Sequence, residues 1–166
     1  MELRTQDSYQ KFIFDFLQSN VFVVCPKCSN KAIVKTEGFS FKNAENNISL
    51  ICTNCGHNKK LTEQPSTIIY AASGKLIQGK DLVIGRAIDP FFHLDLWLTN
   101  DCQENQLWAY NYDHLNFLHG HVEAKLRERN GQELANQSLG SRLPRWMTSK
   151  KNREVVLKRI AELQDK

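Results

Sequence analysis

The spacing of apolar residues changes period along this chain, and each change marks an element. In SYQKFIFDFLQSN (8–20), Tyr9, Phe12, Ile13, Phe16 and Leu17 recur three and four apart. That spacing predicts a short amphipathic helix, with Asp7 or Ser8 capping its start and Asn20 closing its end. VFVVC (21–25) then turns β-branched and aromatic, predicting a strand that runs into a cysteine. KAIVK (31–35) predicts a second strand. Phe39 and Phe41, then Ile48 and Leu50, alternate with polar residues on either side of the turn-rich NAENN. KKLT (59–62) predicts a further short strand.

Gln64-Pro65-Ser66 breaks the pattern and is the expected boundary between regions 1–64 and 65–166. Beyond it, TIIYAA and DLVIGRAI read as strands around a turn region, SGKLIQGK. Pro90 bars a helical start to DPFFHLDLWLTNDC, and TND within it predicts a turn. QLWAY reads as a strand or the approach to a helix. Asn111 or Asp113 can cap a helix running to about Arg129, with Leu115, Leu118, Val122 and Leu126 on one stripe. NGQELANQSLGSRLP reads as a loop. Ser149 can cap a last helix, KKNREVVLKRIAELQ, striped by Val156, Ile160 and Leu163. The fold class expected is α+β: an N-terminal helix, antiparallel hairpins around the cysteines, then a small mixed domain with a basic C-terminal helix.

Four of the five cysteines stand in two Cys-x-x-Cys pairs, CPKC (25–28) and CTNC (52–55). In a reducing compartment such pairs favour metal over disulfides. Each turn aims two sulfurs at one spot. Two turns supply a tetrahedral thiolate set, which suits zinc at about 2.3 Å per bond. Iron uses the same ligands, and His57, just past Cys55, is a substitute ligand. The segment from Ser29 to Ile51 is long enough for a hairpin that sets the second turn beside the first. Gly56 suits a positive φ after the second pair. Ser29 stands at the matching place in the first, so Asn30 is expected to take the left-handed conformation there. Four sulfurs leave no position for water, so the metal is not expected to be the catalyst.

CPKC and CTNCGH, over residues 21–62, resemble the two knuckles of the zinc ribbon family. That family occurs in general transcription factors, RNA polymerase subunits, ribosomal proteins and many bacterial accessory proteins. The resemblance implies one structural Zn2+ on Cys25, Cys28, Cys52 and Cys55. It also implies a role in binding nucleic acid or protein, or in bracing a larger domain. It ends there, and residues 66–166 are read from their own pattern.

Charge sharpens this picture. The 166 residues carry a net charge of +4, unevenly placed. Arg142, Arg145, Lys150, Lys151, Arg153, Lys158 and Arg159 face Glu154 alone between Gly140 and Ile160. Trp146 lies among them, and aromatic plus basic is the composition of nucleic-acid and protein hot spots. Lys27, Lys31, Lys59 and Lys60 flank the knuckles, where they offset thiolate charge or reach phosphate. Trp97 and Trp108 read as core.

Other chemistry is thinner. Cys102 with His93 or His114 makes a conceivable Cys–His couple. Asp89, Asp95, Asp101 and Asp113 invite a carboxylate-cluster nuclease. His119 and His121, two apart on a helix, do not chelate together. No phosphate-cradling glycine loop, Gly-x-Ser-x-Gly or His-Glu-x-x-His occurs. No apolar run nears the ~20 residues of a membrane span, and the N-terminus lacks a signal-peptide core. A soluble, cytoplasmic, non-catalytic zinc-ribbon protein that contacts nucleic acid or a nucleic-acid-processing complex is the leading expectation. A protein–protein adaptor is the alternative, and a hydrolase or nuclease carried by the C-terminal region stands third.

Overall fold

The computed structural model describes residues 4–5, 10–39, 47–62, 67–72, 75–79, 82–124, 126–127 and 138–166. Over these the chain forms β1 (Arg4–Thr5), a 3-10 helix (Ile13–Leu17), β2 (Val21–Val24), β3 (Lys31–Lys35), β4 (Ser49–Ile51) and β5 (Asn58–Lys60). Then come β6 (Thr67–Ala72), β7 (Lys75–Gly79), β8 (Leu98–Cys102), β9 (Asn105–Ala109), α1 (Tyr112–Glu123) and β10 (Leu126–Arg127). The chain ends with α2 (Leu139–Arg142), α3 (Arg145–Thr148), a 3-10 turn (Lys150–Asn152) and α4 (Arg153–Gln164). Mixed helix and strand is what the patterning predicts. Two compact units result: Leu17–Trp97, and Met1–Phe16 with Leu98–Lys166. The boundary expected at Gln64-Pro65-Ser66 lies outside the described residues, as do Phe41 and most of NAENN.

In the Leu17–Trp97 unit, β2, β3, β4 and β5 form one antiparallel sheet in that order. Val21, Val23, Ala32, Val34 and Leu50 are buried while their neighbours along each strand are at least partly exposed, as a sheet with one covered face requires. On the other face Lys31 Nζ sits 4.5 Å from the centre of the Phe22 ring, a diagonal cross-strand pair. Residues 89–97 close the free edge of β2. Val24 N donates to Asp95 O at 2.8 Å and Trp97 N to Phe22 O at 2.9 Å. Buried Asp89 organises that segment by accepting from Phe91 N, Phe92 N and Leu94 N. Phe91 meets Phe39 edge-on at 5.0 Å in the core.

In the other unit, β8 and β9 form a hairpin, α4 packs against α1 and β8, and β1 pairs in parallel with β10. Asn111 caps α1 as expected, accepting from His114 N at 2.9 Å. Leu115, Leu118 and Val122 of α1 and Val156, Ile160 and Leu163 of α4 are buried.

Several boundaries differ from the sequence pattern. Of the expected N-terminal helix the described residues form only a five-residue 3-10 turn, and Asp7, Ser8 and Tyr9 lie outside them. Asp15 spends its carboxylate on Phe12 N at 2.7 Å, and aromatic and β-branched residues hold an α-helix weakly. KLIQG is a strand, not part of a turn. It pairs with TIIYAA and leaves only Ser73 and Gly74 between them, whereas 82–84 of the expected DLVIGRAI strand is irregular. TND lies inside β8, and the turn follows the strand's end at Cys102, with Gln103 at φ 58°. Helix α1 stops at Glu123 because Leu126 and Arg127 pair with β1. SLGSRLP contains the one-turn α2.

Candidate metal centre

The two Cys-x-x-Cys turns are the same turn built twice. Val24 pairs with Lys31 and Ile51 with Asn58, so residues 25–30 and 52–57 are hairpin connections of equal length. Cys25 N donates to Asn30 O and Cys52 N to His57 O, both at 2.8 Å. Ser29 N returns to Cys25 O and Gly56 N to Cys52 O, both at 2.9 Å. The residue after the second cysteine is left-handed in each, Ser29 at φ 59° and Gly56 at φ 74°. Asn30 does not take the left-handed conformation expected of it. Its carbonyl has to meet Cys25 N, and its side chain donates to Cys28 O at 3.1 Å.

A testable asymmetry follows, because serine is strained where glycine is not. Ser29→Gly should raise the stability of the metal-loaded protein by about 1 kcal/mol. Gly56→Ala should lower it by about 1 kcal/mol, through backbone strain alone, since a Cβ there meets nothing within 4 Å. Denaturant midpoints would show the two opposite signs; equal signs would refute the equivalence of the turns.

Pairing of β3 with β4 sets the turns side by side. All four Sγ atoms then lie within 4.8 Å of one another. Cys25 and Cys55 approach to 3.7 Å and Cys28 and Cys52 to 3.6 Å, each contact joining the two turns. A tetrahedron with metal–sulfur bonds of about 2.3 Å has edges of about 3.8 Å, so the four thiols can hold one metal ion. Lys27 N points at Cys25 Sγ at 3.4 Å and Asn54 Nδ2 at Cys28 Sγ at 3.5 Å, the donors that orient and soften thiolate ligands. Cys25 and Cys52 are buried, Cys28 half-buried and Cys55 exposed. Among the thiols alone, the Asn30 backbone amide carries Cys28 down to about 6 against the effect of burial. Cys55 is pushed up to about 12, where the His57 amide is outweighed by burial and by the three neighbouring thiols. A cation relieves that competition by taking all four as thiolates.

Among the described residues this is the one group of three or more His, Cys, Asp or Glu side chains placed to share a metal ion. Residues considered for catalysis go to other tasks. Asp89 caps its turn, and burial pushes its carboxyl up despite the three amides. Cys102 is buried at the end of β8, its thiol raised by burial. His114 is buried against Phe16, Trp108 and Tyr110, and its Nδ1 accepts from Tyr110 N at 3.3 Å. His121 stacks on Phe117, and His119 faces Glu123 at 3.6 Å.

The cations expected to bind a partner divide by unit. Lys27 at the first turn and Lys59 and Lys60 on β5 are exposed. Arg142, Arg145, Lys150 and Lys151 are exposed in the other unit, with Trp146 half-buried among them. Arg153 also donates from Nε to Val122 O at 3.0 Å, near the C-terminal end of α1. The sulfur donor Asn54 was not picked out from sequence; a polar residue inside a Cys-x-x-Cys pair was its only signal. Compared with protein-family models, curated proteins and solved structures, the chain matches none of them.

Proposed function

We propose that this is a non-catalytic zinc-ribbon protein in which Cys25, Cys28, Cys52 and Cys55 hold one structural Zn2+ and a basic surface binds nucleic acid or a nucleic-acid-processing complex. The closeness of the four sulfurs carries the metal assignment. Four thiolates complete a tetrahedral shell, so the ion orders the sheet and presents no open position for substrate. Zinc is favoured over iron because four thiolates closing a tetrahedral shell are the usual structural zinc set. The nucleic-acid reading is supported by exposed Arg142, Arg145, Lys150 and Lys151, with no acidic residue from 138 to 153. The adaptor reading draws on Phe14 and Val155, the large apolar side chains exposed among the described residues.

Fluorescence anisotropy with labelled nucleic acid across a salt series tests the proposal. Four neutralised phosphates give a log–log salt slope of about −3 on single strands and about −4 on duplex. Lys150→Glu with Lys151→Glu should weaken binding and flatten that slope. Binding that ignores salt, or no binding at all, refutes it.

A further inference from the structure

Residues 138–153 form a run of single helical turns. α2 and α3 have four residues each and the following 3-10 turn has three. Extended residues separate them: Leu143 at ψ 136°, Pro144 at ψ 148° and Ser149 at ψ 136°. The run is well anchored. Leu139 and Met147 are buried, Leu139 N donates to Lys11 O at 2.7 Å, and Asn152 Nδ2 donates to Trp146 O at 2.9 Å. On this fixed backbone Arg142, Arg145, Lys150 and Lys151 are exposed, and none of their side chains has an ion-pair or hydrogen-bond partner among the described residues.

Trp146 differs from the tryptophan packed in the same unit. The Trp108 ring meets Tyr110 at 5.2 Å and His114 at 5.6 Å. Both tryptophans are half-buried, but the Trp146 ring meets no other aromatic ring or cation among the described residues. A part-exposed indole beside unpaired cations offers a stacking face next to phosphate-binding groups.

The shape of the run also says which form of nucleic acid it suits. A four-residue helix is about 6 Å long, too short to line a major groove about 12 Å wide. α4 is long enough, but its exposed face mixes Glu154, Val155, Lys158 and Glu162, and its Arg159 is paired with Glu162 at 2.8 Å. A flexible single strand makes no such demand, since its bases can turn out to meet an isolated ring.

We infer that residues 142–151 bind single-stranded nucleic acid, Trp146 stacking on a base while Arg142, Arg145, Lys150 and Lys151 contact the flanking phosphates. This rests on the nucleic-acid reading above and narrows it.

The test uses the full-length zinc-loaded protein with a labelled oligothymidylate of about 20 nucleotides and a duplex of equal length. At the same salt, the single strand should bind at least about tenfold more tightly than the duplex. Trp146→Leu keeps apolar bulk but removes stacking. It should cost about 5- to 100-fold on the single strand and leave the salt slope unchanged. Trp146→Tyr should stay close to the parent protein, and melting curves verify that both variants fold. Should Trp146→Leu fail to fold, an affinity loss in folded Trp146→Tyr as large as in Lys150→Glu would refute stacking. Duplex bound as tightly as single strand, or Trp146→Leu with unaltered affinity, overturns this inference and leaves the broader reading standing. If neither nucleic acid binds, both fall together.

Discussion

Cys52→Ser should abolish stoichiometric metal binding and, with it, the ordered sheet β2–β3–β4–β5. Cys52 is buried at 1% exposure, so a serine there exchanges a sulfur ligand for a poorer oxygen in a site that water cannot easily repair. The two hairpins β2–β3 and β4–β5 are joined by only three residue pairs between β3 and β4. Strands of three to five residues have little stability of their own. Four thiolates on one ion tie both turns at once. Structural zinc sites of this kind contribute apparent binding free energies of about 10 kcal/mol or more. That is comparable to the whole stability of a domain, about 5–15 kcal/mol. Metal analysis should find one zinc per parent chain and almost none in Cys52→Ser. A strong chelator should lower the melting temperature of the parent and leave the variant unchanged. Cys55→Ser, at the exposed corner, should keep a weaker site because solvent can complete the shell there. Cys52→Ser with the melting curve and circular dichroism of the parent would mean that the four sulfurs are only neighbours.

Acid should unfold the other unit through His114. Burial holds its imidazole at about 3, well below the ordinary 6.5. The ring is stacked 4.7 Å from Phe16 and accepts from Tyr110 N, so the neutral form is the one the fold accommodates. The direction follows from proton counts. Above pH 6.5 the residue is neutral in both states and contributes no pH dependence. Below 6.5 the unfolded chain takes up a proton that the folded chain refuses, so stability falls as pH falls. The loss is about 1.4 kcal/mol per pH unit, reaching about 5 kcal/mol near pH 3. Denaturant titrations at pH 7, 5.5 and 4.5 with saturating zinc would measure it. His114→Phe should flatten this dependence, at a constant cost of about 1–3 kcal/mol for the unmet Tyr110 N–H. An NMR titration that finds the His114 ring protonating near pH 6.5 would rule the effect out.

Local chemistry made some parts of this protein readable from its residues. Apolar, β-branched runs located β2 and β3 and period-two alternation located β4, because one face of that sheet is covered and a covered face forces apolar residues into register. Asn111 announced the start of α1, since a cap acts over three residues and needs nothing distant. The four-cysteine cluster was legible in part for the same reason: each Cys-x-x-Cys turn is set locally, while the pairing of β3 with β4 brings the two turns together. Tertiary structure decided the rest. The helical stripe through Leu126 gave way because Leu126 and Arg127 pair with Arg4 and Thr5, more than a hundred residues away in the chain. KLIQG became a strand because TIIYAA lay beside it. Ser29 took the strained backbone because hydrogen bonds at both ends of its turn required it, overriding a preference that favours asparagine or glycine. His114 and Asp89 look like catalytic candidates in the sequence. Only burial shows the first as a core residue and the second as the acceptor for three amides. The sequence by itself therefore determined the two Cys-x-x-Cys turns, the strands of the sheet around them and the start of α1, all governed by interactions within a few residues, whereas α4 starts at Arg153 after Asn152 and not at the expected Ser149 cap. Where those elements stop, and which polar groups remain free for a partner, depended on segments remote in sequence, whose burial and hydrogen bonds outweigh local preferences of about 1 kcal/mol per residue or less.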